Sequence, residues 1–268
     1  MILLHSILLL GTLGLLFGSG LAYASKKFSV IEDDRIEKLT SILPGANCGV
    51  CGFPGCRSLA KSIVSHTSTV NACIPGGSET AEQIAQIMGV ETQKMIPQIA
   101  IIHCQGGKKE AKTCFLYQGI ADCIAANNFF GGNKTCTYGC LGFGNCYKVC
   151  PFHAIVMTNN RLPVIDPKKC TGCGKCVEVC PKNIISLLPR TEHIYLACSS
   201  KDKGKIVKEY CLSGCFGCTL CANPKVTPSL GVIIKENLPK LDYTKEHDFS
   251  GALEKCPTKC FVKIEKAP

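Results

Sequence analysis

Residues 170–181 read Cys170-Thr171-Gly172-Cys173-Gly174-Lys175-Cys176-Val177-Glu178-Val179-Cys180-Pro181. Three cysteines separated by two residues each, then a fourth after three more and a proline, form a thiolate run that grips an iron-sulfur cubane, with the fourth sulfur crossing to a neighbouring cluster. A partner run must therefore lie close by in the sequence. Cys136, Cys140 and Cys146, followed by Cys150-Pro151, supply it. The crossing rule assigns Cys170, Cys173, Cys176 and Cys150 to one 4Fe-4S centre, and Cys136, Cys140, Cys146 and Cys180 to the next. Between the runs, residues 154–157 and 162–165 flank Asn159-Asn160, a hairpin signal.

This is the ferredoxin pattern, βαββαβ, and the chain repeats it. A shift of 75 positions carries Cys123 to Cys198, Cys136 to Cys211, Cys140 to Cys215 and Cys146 to Cys221, and a shift of 76 carries Cys180-Pro181 to Cys256-Pro257. In the second unit the ligand positions of one cluster hold Lys225, Glu246, Phe249 and Ala252, so that centre is missing as a set. Cys215, Cys218, Cys221 and Cys256 still make one complete crossed set. Cys211 is an alternative to Cys218 as its third ligand. Cys104, Cys114, Cys123, Cys198, Cys211 and Cys260 are left over as buried free thiols or as part of a further centre, since Cys104, Cys114 and Cys123 share one Gly-rich region.

A separate group precedes these. Cys48, Cys51 and Cys56, with Cys73 further on, bring four thiolates into one short module, and Gly49, Gly52 and Gly55 let the backbone wrap a bulky inorganic core. Residues 32–43 place Ile36, Leu39 and Leu43 on one helical face, residues 57–64 continue as a helix from Cys56, and residues 78–88 form another with Ser78 as N-cap. Taken alone, this group also fits a structural zinc site or two disulfides.

Residues 2–24 carry no charged side chain and, as a helix, span about 35 Å, enough to cross a bilayer. Ala22-Tyr23-Ala24 resembles a signal-peptidase site, but no Lys or Arg precedes the apolar run, which favours an uncleaved anchor. Lys26 and Lys27 follow the span directly, so the positive-inside rule puts the bulk of the chain on the cytoplasmic side of the inner (cytoplasmic) membrane, as a single-pass protein in contact with lipid.

The 268 residues include 22 Cys and no Trp, so inorganic ligation rather than a large aromatic core is expected to organise the fold. The formal charge of +10 counts every cysteine as neutral. About four clusters at roughly −2 each offset most of it, and with no basic stretch interleaved with aromatics a nucleic-acid partner is not expected. No dinucleotide fingerprint, phosphate-cradling loop or paired nucleophile and base is present, so no catalytic site is expected in this chain alone.

The expected class is α+β. An N-terminal transmembrane helix (1–25) leads to a small α-helical 4Fe-4S domain (30–92), a Gly/Cys-rich connecting segment (93–134), a two-cluster ferredoxin-like domain (135–190) and a degenerate ferredoxin-like domain with one cluster (191–268). The apolar amino terminus, Leu43-Pro44-Gly45-Ala46-Asn47-Cys48-Gly49-Val50-Cys51-Gly52, Cys73-Ile74-Pro75-Gly76-Gly77, Gly139-Cys140-Leu141-Gly142 and the tandem runs together resemble the B subunit of the Rnf family of ion-translocating electron transport complexes. The resemblance implies 4Fe-4S clusters in both parts and relay of electrons from soluble ferredoxin towards other membrane and peripheral subunits, which carry flavin and reduce NAD. The degenerate second unit departs from the pattern of longer relatives. Rival readings are an iron-sulfur component of a different membrane reductase, a zinc-binding module tethered to a membrane, and an exported disulfide-rich protein.

Overall fold

A computed structural model describes residues 2–28, 32–244 and 247–264. Glu246 and the boundary at residue 30 lie outside them. Helix α1 (Ile2–Lys27) contains a stretch, His5–Lys27, of mean hydropathy 1.8, none of it buried against the rest of the chain. Leu8, Leu10, Leu15 and Phe17 are exposed along it. Lys26 and Lys27 occupy its last turn, where cations complement the helix dipole.

Three helices make the next unit. Asp33 caps α2 (Asp34–Ile42) by accepting from the N–H of Arg35 at 2.9 Å. The face carrying Ile36, Leu39 and Leu43 packs on Leu59 and Ile63 of α3 (Cys56–Val64) and Ile84 of α4 (Gly77–Met88), with Cys73 in the same cluster. Leu39 and Ile84 are fully buried, each contributing about 1.5–3 kcal/mol. The sequence places Ser78 at the start of α4 as its cap, but the capping position is Gly76 and the Ser78 hydroxyl donates to the carbonyl of Met95 instead. Gly89, left-handed at φ 65°, ends the helix.

Beyond it the order strand, helix, hairpin, helix, strand occurs twice. In the first instance β1 (Gln98–Ile102) pairs antiparallel with β4 (Ile185–Pro189), Ile102 opposite Ile185. Between them come α5 (Cys123–Asn128), α6 (Asn145–Val149), the hairpin β2 (Ile155–Met157) and β3 (Pro163–Ile165), and α7 (Lys175–Glu178). In the second, β5 (Ile194–Leu196) pairs with β8 (Phe261–Lys263) around α8 (Gly204–Tyr210), a 3-10 turn at Leu220–Ala222, the hairpin β6 (Val232–Lys235) and β7 (Leu238–Leu241), and α9 (Ser250–Lys255). Glu236 and Asn237 turn the second hairpin with φ of 51° and 62°, a two-residue loop whose twist matches the strands.

Strand β1 falls in the stretch that reads as a connecting segment, and residues 110–112 of that stretch are fastened to the second unit. Ala111 bridges Cys211, and the N–H of Lys112 donates to the carbonyl of Tyr210 at 2.8 Å. Each strand-hairpin unit has its own core: Ile99, Ile101, Ile155, Ile185 and Leu188 in the first, Leu196, Val232, Phe249 and Phe261 in the second. Cysteines border both.

Candidate cofactor sites

Every cysteine is a free thiol, and their grouping follows from the loops that carry them. In the helical unit, Gly49 and Gly52 adopt φ of 69° and 84°, a region closed to most side chains, and so bend the loop that bears Cys48 and Cys51. Asn47 steadies it by accepting the N–H of Cys56 at 2.8 Å. Burial pushes the Cys73 thiol up, and the nearby Cys56, Cys51 and Cys48 push it further, which groups these four sulfurs.

In the first strand-hairpin unit, Gly172 (φ 70°) brings the Cys170–Cys176 loop against β1, where an added Cβ would stand 2.6 Å from the carbonyl oxygen of Gln98. The N–H of Ala100 donates to the Sγ of Cys170 at 3.5 Å, and that of Ala154 to the Sγ of Cys150 at 3.4 Å. Burial pushes the Cys173 thiol up, with Cys150 and Cys170 adding to it. Burial likewise takes Cys176 to about 12, helped by Cys170 and Cys173. Cys150, Cys170, Cys173 and Cys176 thus form a second group of four.

The third surrounds a cavity of ≈ 410 Å³ lined by Cys123, Cys140, Cys146 and Cys180. Asp122 caps α5 through the N–H groups of Ile124 and Ala125 and accepts from buried Asn145, whose side-chain oxygen in turn receives the N–H of Cys123. Burial takes Cys146 to about 11, with Cys123 and Cys180 contributing. The run expected from sequence used Cys136 here. The structure instead brings Cys123 to this cavity and carries Cys136 to a different one, with Cys104, Cys198 and Cys211.

The fourth group lines a cavity of ≈ 370 Å³: Cys215, Cys218, Cys221 and Cys256. Cys218, not Cys211, is the sulfur that completes it. Burial takes Cys221 to about 12, with Cys215, Cys218 and Cys256 adding, whereas hydrogen bonding from Cys260 brings Cys256 down to about 5. Cys114 is exposed and joins none of the groups; its thiol donates to the carbonyl of Asn133 at 3.3 Å.

Among the described residues, no three His, Cys, Asp or Glu side chains converge as they would on a single metal ion. Four sulfurs bound to one zinc stand about 3.8 Å apart, whereas the ligands of a cubane are spread around a far larger core. Burial raises the Cys140, Cys146, Cys176 and Cys221 thiols to about 11 or 12, and an iron core that replaces their protons with Fe–S bonds suits such sites. The donor sets therefore fit 4Fe-4S clusters.

Sequence comparison agrees in both halves. A family model described as an Fe-S cluster matches residues 43–75, and a 4Fe-4S dicluster domain matches residues 136–187. The B subunit of the Na+-translocating ferredoxin:NAD+ oxidoreductase complex of Acetobacterium woodii is 43% identical, covering 94% of this chain and 75% of the relative. The proton-translocating ferredoxin:NAD+ oxidoreductase complex of Clostridium ljungdahlii has a B subunit 41% identical over 92% of this chain and 87% of its own length. The B subunit of an ion-translocating oxidoreductase complex of Methanosarcina acetivorans is 38% identical over 96% and 97%. Likeness of that extent, covering at least three quarters of each relative, makes this one a member of the B-subunit family of Rnf-type ion-translocating oxidoreductase complexes.

Proposed function

We propose that this chain is the electron-relay component of a membrane-bound, ion-translocating complex, taking electrons from reduced soluble ferredoxin and passing them to partner subunits that reduce NAD. The observation that carries the reading is the sorting of the cysteines into separate sets of four, two of them around cavities of ≈ 410 and ≈ 370 Å³. A bound 4Fe-4S cluster supplies a one-electron couple whose potential follows burial, charge and hydrogen bonds to sulfur. The rest is the work of this chain's own residues.

Cys48, Cys51, Cys56 and Cys73 hold one centre, and Cys150, Cys170, Cys173 and Cys176 a second. A third belongs to Cys123, Cys140, Cys146 and Cys180, and a fourth to Cys215, Cys218, Cys221 and Cys256. The N–H groups of Ala100 and Ala154 offset negative charge on sulfur, and buried Ile99, Ile101 and Ile185 keep water out. The repeated order of strands and helices supports two ferredoxin-like modules, within residues 98–189 and 194–263, the first beginning upstream of residue 135 because β1 closes it. Helix α1 anchors the chain in lipid, and Lys26 and Lys27 favour a cytoplasmic position for the modules, where ferredoxin has access.

The test is iron and acid-labile sulfide per chain in anaerobically purified complex, with EPR before and after addition of reduced ferredoxin. Cluster signals that appear on addition of reduced ferredoxin support the relay. Protein free of iron, with its sulfurs oxidised to disulfides or bound to zinc, overturns it.

A further inference from the structure

The cavity that receives Cys136 lies where the two strand-hairpin units meet. It measures ≈ 370 Å³, the same size as the one enclosed by Cys215, Cys218, Cys221 and Cys256, and Cys104, Cys136, Cys198 and Cys211 line it. Two of these cysteines come from each unit, and they arrive by the same route.

Cys104 stands two residues after β1 ends at Ile102, and Cys198 two residues after β5 ends at Leu196. Cys136 opens the run Cys136-Thr137-Tyr138-Gly139-Cys140, and Cys211 opens Cys211-Leu212-Ser213-Gly214-Cys215. The hydrogen bonding repeats as well. The N–H of Cys140 donates to the Sγ of Cys104 at 3.3 Å, and the N–H of Cys215 donates to the Sγ of Cys198 at 3.3 Å. The cavity is thus closed by two copies of one half-site, facing each other. Val207 and Tyr210 of α8 pack with Cys136 and Cys211 and keep the junction dry.

Lys134 adds an independent pointer. A buried ammonium needs a compensating partner, and Lys134 lies on this wall with its Nζ donating to the carbonyl of Gly106, next to Cys104 and Cys211. It is placed to balance an anionic thiolate cage.

We propose that Cys104, Cys136, Cys198 and Cys211 bind a fifth 4Fe-4S cluster shared between the two modules. This deepens the relay reading and rests on it. Cys136 precedes a ligand of the first module's centre by four residues, and Cys211 precedes a ligand of the second module's centre by four, so the site lies between the two and gives electrons a path across the junction.

The experiment counts clusters in the full chain, reconstituted without oxygen, by iron, sulfide and zinc analysis and by native mass spectrometry of the unaltered protein. Five clusters, about twenty irons, are expected. The double variant Cys136→Ala with Cys211→Ala should lose about four irons and no more than either single variant, while Cys136→Ala with Cys123→Ala should lose about eight. About sixteen irons in the unaltered chain, a single zinc in place of the fifth cluster, or a Cys136→Ala/Cys123→Ala variant that loses only four would overturn the fifth site and leave the relay standing. A chain with no iron at all would remove both. Native mass spectrometry of the unaltered protein reads the count even if a variant fails to fold.

Discussion

The backbone N–H of Cys260 donates to the Sγ of Cys256 at 3.3 Å, and the fully buried Cys260 thiol keeps its proton beside that sulfur. The same thiol donates to the carbonyl of Ser213 at 3.2 Å and lies beside Cys215 and Cys198, one in the fourth cysteine group and one in the junction site. Cys260 lines neither cysteine cavity and is placed as a positioning residue between two candidate centres. Donors to ligand sulfur stabilise the more negative, reduced state. Replacing Cys260 by Ala should leave the iron content unchanged and lower the midpoint potential of the centre at Cys256. A hydrogen bond worth about 1 kcal/mol sets an upper scale near 40 mV for one electron. A redox titration followed by EPR reads the shift, and loss of iron from the variant would mean that Cys260 is itself a ligand.

Cys256 lies 35 positions beyond Cys221 in sequence yet shares its cavity, as a crossed fourth ligand should. Cys256→Ala should remove about four irons together with the signal assigned to Cys215, Cys218 and Cys221, and leave the other centres intact. In iron-stripped protein the contrast is chemical. A thiol at about 5 is thiolate at pH 7, and one at about 12 is not, so iodoacetamide should label Cys256 well before Cys221. Peptide mass spectrometry after brief alkylation checks the order.

The ligand sets at Cys170 and Cys256 were legible because the crossing rule ties four local positions together, and local spacing is what a sequence displays. Cys123 was not, since 17 positions separate it from Cys140 and no spacing rule spans that distance. The repeat pairs Cys123 with Cys198, which lines a different cavity, so it gave no pointer either. The equivalence of Cys104 and Cys198 was hidden more deeply: Cys104 precedes Cys136 by 32 positions and Cys198 precedes Cys211 by only 13, so no constant shift aligns both pairs. Only the strands, which end two residues before each, reveal it. Strand β1 escaped for a related reason. Ile99, Ala100, Ile101 and Ile102 are all buried, and a strand covered on both faces lacks the alternation that marks a half-buried one.

The stripped protein should also be sensitive to alkali. Burial raises Cys136 and Cys146 to about 11, and Cys140, Cys176 and Cys221 to about 12, above the value of 9 that an exposed thiol has. In that interval the folded chain holds protons that the unfolded chain has released. The contribution of these five thiols is therefore complete below pH 9 and falls between pH 9 and 12, by up to about 1.4 kcal/mol per pH unit for each. Urea midpoints measured anaerobically across this range should decrease with pH in the stripped protein. Cluster-loaded protein, whose ligands carry no protons, should show a much flatter profile.

Gly172 offers a test of how tightly the fold and the ligand loop are joined. Its φ of 70° is strained for any other residue, and an added Cβ would stand 2.6 Å from the carbonyl oxygen of Gln98, an atom of β1 that cannot rotate away. Gly172→Ala should therefore push the Cys170–Cys176 loop off β1, at a cost of at least about 2 kcal/mol, and break the 3.5 Å contact between the N–H of Ala100 and the Sγ of Cys170. Because β1 pairs with β4 along its whole length, the damage should stay within the first module. The expected result is a lower thermal midpoint together with loss of about four irons, from the centre at Cys150, Cys170, Cys173 and Cys176, with the signal at Cys215, Cys218, Cys221 and Cys256 retained. Full iron occupancy in the variant would show that the loop can move away from β1 without releasing its cluster, and that β1 does not position the site.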